Sequence, residues 1–172
     1  MQENTAFEQS SGMKRCNIEA VRDQLLQLRT VYLAINSVDN KPEMAVAPFI
    51  RREDGLYIYT SHLSPHVHDL INQGEATCML CADEGDSPNI WARNRLKFSV
   101  EALEIMRDDG HFDKLCNDFI SAHGRTMNLI RNFTDFHMIR LTPQKGVLVL
   151  GFAKAFIVSG TNFDITAHIS KA

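Results

Sequence analysis

The feature that most constrains the fold is an apolar–polar alternation with a period of two. Leu96, Phe98 and Val100 alternate with Lys97, Ser99 and Glu101, and Val31, Leu33 and Ile35 alternate with Tyr32 and Ala34. Successive side chains of a strand point to opposite faces, so each run reads as a strand buried on one side. Turn residues mark where such strands reverse: Asp39-Asn40-Lys41-Pro42, then Glu53-Asp54-Gly55. Strands are therefore expected near Val31–Ile35, Met44–Ile50, Leu56–Thr60, Thr77–Cys81, Leu96–Val100 and Phe136–Leu141. A turn at Pro143-Gln144-Lys145-Gly146 is expected to make the last third a hairpin, returning through Val147–Leu150 and Ala155–Val158.

The period changes to helical in a few places. Ile18, Val21, Leu25 and Leu28 recur on one face after Asn17, which reads as a cap. Ser64-Pro65 places a cap before a proline at the first helical position, and Gly74 closes that helix. Asp108-Asp109 precedes a helix carrying Phe112, Leu115, Cys116, Phe119 and Ile120 on one side and ending at Gly124, and a second helical piece covers Met127 to Asn132. Seven or so short strands with helices as insertions predict a mainly β protein, an antiparallel barrel rather than a doubly wound parallel sheet. Residues 1–14 are expected to form a mobile polar tail, and 15–172 a single domain.

Bulk properties exclude several classes. A net charge of −3 gives no electrostatic footprint for nucleic acid. No stretch reaches the ~20 apolar residues that span a bilayer, and no signal peptide is visible at Met1. Cytoplasmic location is the expectation, with the four cysteines reduced. Cys78 and Cys81 have Cys-x-x-Cys spacing, but on a strand side chains three apart face opposite ways and share neither metal nor disulfide.

Four segments carry residues suited to chemistry. Ser61-His62-Leu63-Ser64-Pro65-His66-Val67-His68 joins a strand to a helix start, where amide groups favour an anion; a histidine-rich surface turn is the equal alternative. Arg93 and Arg95, in Ala92-Arg93-Asn94-Arg95, are expected on one face of a strand, about 7 Å apart. That spacing suits two carboxylates or a phosphate, or else an exposed pair countering Glu101 or the acidic loop Asp83–Pro88. Asp135, flanked by Phe133 and Phe136, either caps a turn or orients an imidazole. His168 lies near the chain end, on a segment that is otherwise read as a terminal tail. A histidine, an orienting carboxylate and arginines together suit a flat, anionic, metal-containing cofactor such as heme. His111, His123 and His137 read as structural.

Ala47-Pro48-Phe49, Ser61 to Leu70, Ala92-Arg93-Asn94-Arg95-Leu96, and Gly151-Phe152 through Val158-Ser159-Gly160 follow one another in an order that resembles the bacterial heme-iron-utilisation proteins of the HugZ/HutZ type. These sit in the pyridoxamine-phosphate-oxidase-like split-barrel superfamily, much of which binds FMN. The resemblance, from about Val31 to His168, implies a split β-barrel homodimer with heme near the subunit interface. It implies His168 as iron ligand, Asp135 supporting that ligand across the dimer, and Ser61, His66, Arg93 and Arg95 lining the pocket. The implied activity is heme-degrading oxygenation for iron acquisition, with Asp135 and Arg93 acting in it and an unidentified electron donor as partner. Two alternatives remain: an FMN-dependent oxidoreductase, and a heme carrier that leaves the ring intact. Proteins of this type commonly carry Arg where this chain has Pro65 and His68, a loss that disfavours a phosphate clamp, and so FMN, more than heme.

Overall fold

The computed structural model describes residues 17–169. The expected tail over residues 1–14 therefore lies outside the described residues. Residue 17 is already helical, so Asn17 sits inside helix α1 (17–25) rather than capping it. Leu25 and Leu26 at the end of α1 are buried in the main core.

Eight strands follow among the described residues: β1 (Thr30–Asn36), β2 (Pro42–Arg52), β3 (Gly55–Ser61), β4 (Glu75–Cys81), β5 (Arg95–Ile105), β6 (Phe136–Val149), β7 (Ala155–Ser159) and β8 (Asp164–Ile169). Helix α2 (Pro65–Gln73) separates β3 from β4, while α3 (Phe112–His123) and α4 (Thr126–Ile130) separate β5 from β6. All pairings are antiparallel, in the order β3-β2-β1-β4-β5-β6-β7-β8. A further β3–β6 pairing closes six strands into a barrel and leaves β7 and β8 outside the ring. Among the described residues, no helix is long and apolar enough to cross a membrane.

The alternation read from the sequence is the barrel wall. Val31, Leu33 and Ile35 point inward with Leu96, Phe98 and Val100, and are buried with Leu56, Ile58, Ile139 and Leu141. β3 is buried on both faces, because Tyr57 and Tyr59 point outward under α3 and α4, against Phe112, Leu115, Phe119 and Met127. A two-sided strand shows no alternation of polarity.

The expected turn at Pro143–Gly146 is a correction: β6 runs unbroken for 14 residues. β5 pairs with it along nearly its whole length, from Ile105↔Met138 to Arg95↔Val149, which holds the segment extended. Pro143 lies opposite Val100, next to a register shift between Phe98 and Val100. Gly146 faces Phe98 so closely that a Cβ there would stand 2.6 Å from the Lys97 carbonyl oxygen and 2.8 Å from Phe98 Cβ. Proline and glycine here bend a barrel strand at a bulge instead of reversing the chain. β6 exchanges partners across that bend, from β3 at Phe136–Leu141 to β7 at Lys145–Val149.

The C-terminal segment, where no strand was expected, is ordered as well. It is the strand β8, paired with β7 so that His168 stands opposite Phe156. The β7–β8 hairpin is pinned by Phe163, fully buried and packed edge-to-face on Phe98 at 4.8 Å between ring centroids. Burying one such ring stabilises by about 1.5–3 kcal/mol.

Candidate functional site

The predicted site residues fall into two groups at opposite ends of β6. One group surrounds the β3–α2 turn. The pairing of Ser61 with Phe136 brings that turn against the residues entering β6. Ser61 Oγ donates to Asp135 Oδ2 at 2.6 Å, and the His62 amide donates to the Asp135 carbonyl at 2.6 Å. Ser61 Oγ also accepts from the Leu63 amide at 3.1 Å. Asp135 is thus held in a fixed orientation at a half-buried position rather than merely capping a turn.

α2 begins as expected, with Pro65 at its start and Gly74 closing it at φ 68°. Ser64 occupies the cap position in extended backbone but makes no side-chain cap bond. His66, in the first turn, has its pKa drawn below the ordinary histidine value by burial, which outweighs the nearby carboxylates of Glu43 and Asp69. A neutral imidazole offers an anion a single N–H and no charge.

Sequence reasoning missed a chain of polar side chains beside this group. Barrel-interior positions on β6 run Leu141, Ile139, His137, opposite Leu56, Ile58 and Thr60 on β3. The last pair is polar because the barrel opens there. His137 Nδ1 lies 2.6 Å from Glu104 Oε1, and His137 Nε2 lies 3.2 Å from His62 Nδ1. The His62 ring also meets His68 edge-on, 5.8 Å between centroids. Arg107 was missed as well. It donates to the carbonyls of Arg131 at 2.7 Å, Phe133, and Phe136 at 3.1 Å, and to the Tyr59 hydroxyl at 3.2 Å. Its guanidinium lies 5.2 Å from the Phe112 ring centroid. One side chain therefore sets the path of the segment that carries Asp135. No local pattern marks these residues, since each contact depends on strand register.

The second group lies at the far end of β6. Register carries a row from Leu96 through Leu148 and Phe156 to His168, with Arg95, Val149, Ala155 and Ile169 in the next row. His168 is exposed, its Nε2 donating to the Ala153 carbonyl at 3.1 Å and its ring 5.0 Å from Phe156. Trp91, Phe152 and Ile169 are exposed apolar side chains of the same region.

Arg93 corrects the expectation of two arginines on one strand face. β5 begins at Arg95, and Arg93 ends a 3-10 turn over Ile90–Ala92. Its Nε donates to the Ala82 carbonyl and its Nη1 pairs with Glu84 at 3.0 Å, while Arg95 Nη1 donates to the Arg93 carbonyl at 3.0 Å. The acidic loop thus engages Arg93 as one of the alternatives had it. Each guanidinium keeps its Nη2 outside these bonds.

His168 and Asp135 do not meet within one chain. They flank a strand whose path is roughly 45 Å at about 3.3 Å per residue. A cleft of about 840 Å³ between the end of α1, β2 and α3 is lined by Arg29, Arg51, Asp118 and His123 and by none of the predicted residues. Among the described residues, no group of three or more His, Cys, Asp or Glu side chains is arranged to hold a metal ion. Cys78 and Cys81 are free thiols on opposite faces of β4, and burial pushes Cys78 up to about 12.

A closed six-strand antiparallel barrel whose long last strand leaves it to pair with two more is a split barrel of the pyridoxamine-phosphate-oxidase-like kind. A putative pyridoxamine 5'-phosphate oxidase from Listeria innocua shares this fold at 14% identity and a TM-score of 0.57, covering 76% of this chain and 96% of that one. Within that class the chain is similar to heme oxygenase HutZ of Vibrio cholerae, 27% identical over 143 residues, 83% of this chain and 81% of HutZ. The crystal structure of Vibrio cholerae HutZ, described as a heme storage protein, matches with a TM-score of 0.72 at 25% identity, over 78% of this chain and 94% of HutZ. Campylobacter jejuni ChuZ matches with a TM-score of 0.76 at 27% identity, over 94% of this chain. The chain spans 63% of ChuZ's own length. No family model matches the sequence. The resemblance read from the ordered motifs is borne out, and so is the split barrel.

Proposed function

We propose that this protein binds heme in a site shared by two copies, and opens the ring oxidatively to release iron. The observation that carries the reading is the division of the site. His168 is presented on an outer strand at one end of β6 and Asp135 is held by Ser61 at the other, so a second copy is what unites them. Similarity to a protein named heme oxygenase supports the same reading.

The residues present fit the group. His168 is an exposed imidazole with one nitrogen bonded to a carbonyl and the other available. A ligating imidazole is characteristically held this way, through its second nitrogen. Exposed Trp91, Phe152 and Ile169 offer apolar surface for a flat macrocycle, and Arg93 and Arg95 keep donors for its carboxylates. When bound, heme would supply the iron and be the ring that is oxidised. His168 would ligate the iron. Asp135 of the other copy would accept from the second imidazole nitrogen, displacing Ala153 and strengthening the ligand. Arg93 would order water or propionate on the open face. Electrons would come from a separate donor.

The homodimer that this requires has a surface to form on. Tyr32 and Val46 are directly opposed on β1 and β2, beside Met44, and all three are exposed on the outer barrel face. A contiguous exposed apolar patch of this kind marks an interaction site. We place the protein in the cytoplasm, where free Cys78, Cys81 and Cys116 stay reduced.

The second reading is heme storage without ring opening, favoured by the description of the HutZ crystal structure. FMN ranks below both. No Lys or Arg occurs from Ser61 to Gln73, and burial draws the His66 pKa down, so this segment offers a phosphate at the start of α2 no Lys or Arg cation. A hemin titration followed by reductant in air separates these readings. A saturable Soret shift that then bleaches with iron release is expected. A persistent shift supports storage, and no saturable shift rejects heme.

A further inference from the structure

The hydrogen bonds at the barrel mouth determine where protons sit. A carboxylate only accepts, so the 2.6 Å contact with Glu104 Oε1 requires the proton of His137 to be on Nδ1. A neutral imidazole protonated there accepts at Nε2, so the hydrogen in the 3.2 Å contact between the two rings belongs to Nδ1 of His62. That leaves the Nε2 lone pair of His62 exposed, without a hydrogen-bond partner among the described residues. Free histidine favours the opposite tautomer. A hydrogen-bonded carboxylate–imidazole arrangement is the way a general base is oriented, here with a second imidazole relaying the orientation.

We propose that His62 is a proton carrier serving the Asp135 side of the site, with His137 and Glu104 as its positioning residues. The His62 amide donates to the Asp135 carbonyl and Ser61 donates to the Asp135 carboxylate, so one turn holds both the imidazole and the carboxylate. A proton taken up at His62 Nε2 is balanced by transfer of the Nδ1 proton to His137 Nε2. The Nδ1 proton of His137 then passes to Glu104, which ends protonated. Each transfer breaks one N–H bond and forms a new bond to the same proton, and the reverse sequence delivers a proton outward. What the proton serves rests on the heme reading: oxidation by dioxygen consumes protons as electrons enter.

The first test needs no cofactor. Long-range 15N–1H correlation spectra of the labelled ligand-free protein at neutral pH report each histidine tautomer, with His62→Gln and His137→Gln giving the assignments. The expected result is Nδ1–H on both His62 and His137, and conversion of His62 to Nε2–H in Glu104→Leu. Nε2–H on His62 in the unaltered chain, a doubly protonated His137, or a His62 tautomer unmoved by Glu104→Leu overturns the relay. The second test is ring opening of bound hemin, where His62→Phe is expected to keep the Soret shift and slow the reaction at least about a hundredfold, the low side of general acid–base contributions. An unaltered rate overturns the proton role. Absence of a Soret shift in the unaltered chain overturns the heme reading and the proton's destination with it, while the tautomer spectra still decide whether His62 is a directed acceptor.

Discussion

Ser61 and Asp135 are 74 residues apart in sequence and 2.6 Å apart in space, hydroxyl to carboxylate. The β3–β6 pairing that closes the barrel creates this contact, so closure of the fold and assembly of the Asp135 site are one event.

Asp135→Asn should therefore fold normally, since an amide oxygen still accepts from Ser61, and should slow heme degradation while hemin still binds. Ser61→Ala removes the donor and should lower stability by about 1.5–3 kcal/mol, the range for a hydrogen bond to a charged group. Urea unfolding checks the second and single-turnover bleaching the first. Wild-type turnover in Asp135→Asn would remove Asp135 from the mechanism.

Arg107 gathers three carbonyls and a tyrosine hydroxyl, which only a guanidinium's fork of donors can do. Arg107→Lys keeps the charge and loses the span. It should destabilise by about 2 kcal/mol, and hydrogen exchange should accelerate over residues 131–136 while the β1–β4 amides stay protected.

Phe163 anchors the hairpin that carries His168. Phe163→Ala should cost about 3–5 kcal/mol, the range for emptying a buried aromatic position. Hemin affinity should fall with it, although Phe163 lies inside the barrel and not beside His168. Unchanged affinity would show that β8 is held by its ladder with β7 alone.

Tyr57 provides an alkaline signature. Burial, then its hydrogen bond to Asp54 at 2.7 Å, pushes the Tyr57 hydroxyl up to about 12 from 10.0. The folded state keeps a proton that the unfolded state releases, so this stabilisation is complete below about pH 10 and lost as pH rises toward about 12. Asp54 behaves oppositely. Burial raises it, but hydrogen bonds from Tyr57 and Arg140 outweigh burial and hold it below 3.8, so its contribution is present at neutral pH and lost in acid. Tyr57→Phe should flatten the decline in urea midpoint between pH 10 and 12.

These residues also show what could be read from the sequence. Val31, Leu33 and Ile35 announce a one-sided strand because one face of β1 is core and the other is not. Pro143 and Gly146 mislead because turn chemistry and bulge chemistry use the same residues, and only pairing with β5 decides between them. β8 gives no signal because its side chains are nearly all exposed, so no apolar face repeats. His168, Asp135 and Ser61 were legible as residue types suited to the chemistry and from the resemblance carried by the ordered motifs. The Glu104–His137–His62 chain was not, because its members sit on β5, β6 and the turn after β3, and register alone brings them together.

The shared site makes one prediction that a single-chain site does not. In a two-fold dimer, His168 of each copy would meet Asp135 of the other, so every site draws on both chains. A His168→Ala chain still supplies Asp135, and an Asp135→Asn chain still supplies His168. Co-refolding the two in equal amounts should place one intact site in each mixed dimer. About a quarter of all sites should then be intact, from random pairing of two chains under two-fold symmetry. Heme degradation in the mixture should rise well above the average of the two variants refolded separately, toward that fraction of the unaltered rate. The double variant His168→Ala/Asp135→Asn, co-refolded with unaltered chain, gives mixed dimers whose two sites each lack one residue, and it should show no such gain. Activity in the mixture that only averages the parents would place both residues in one chain's site and overturn the two-copy arrangement.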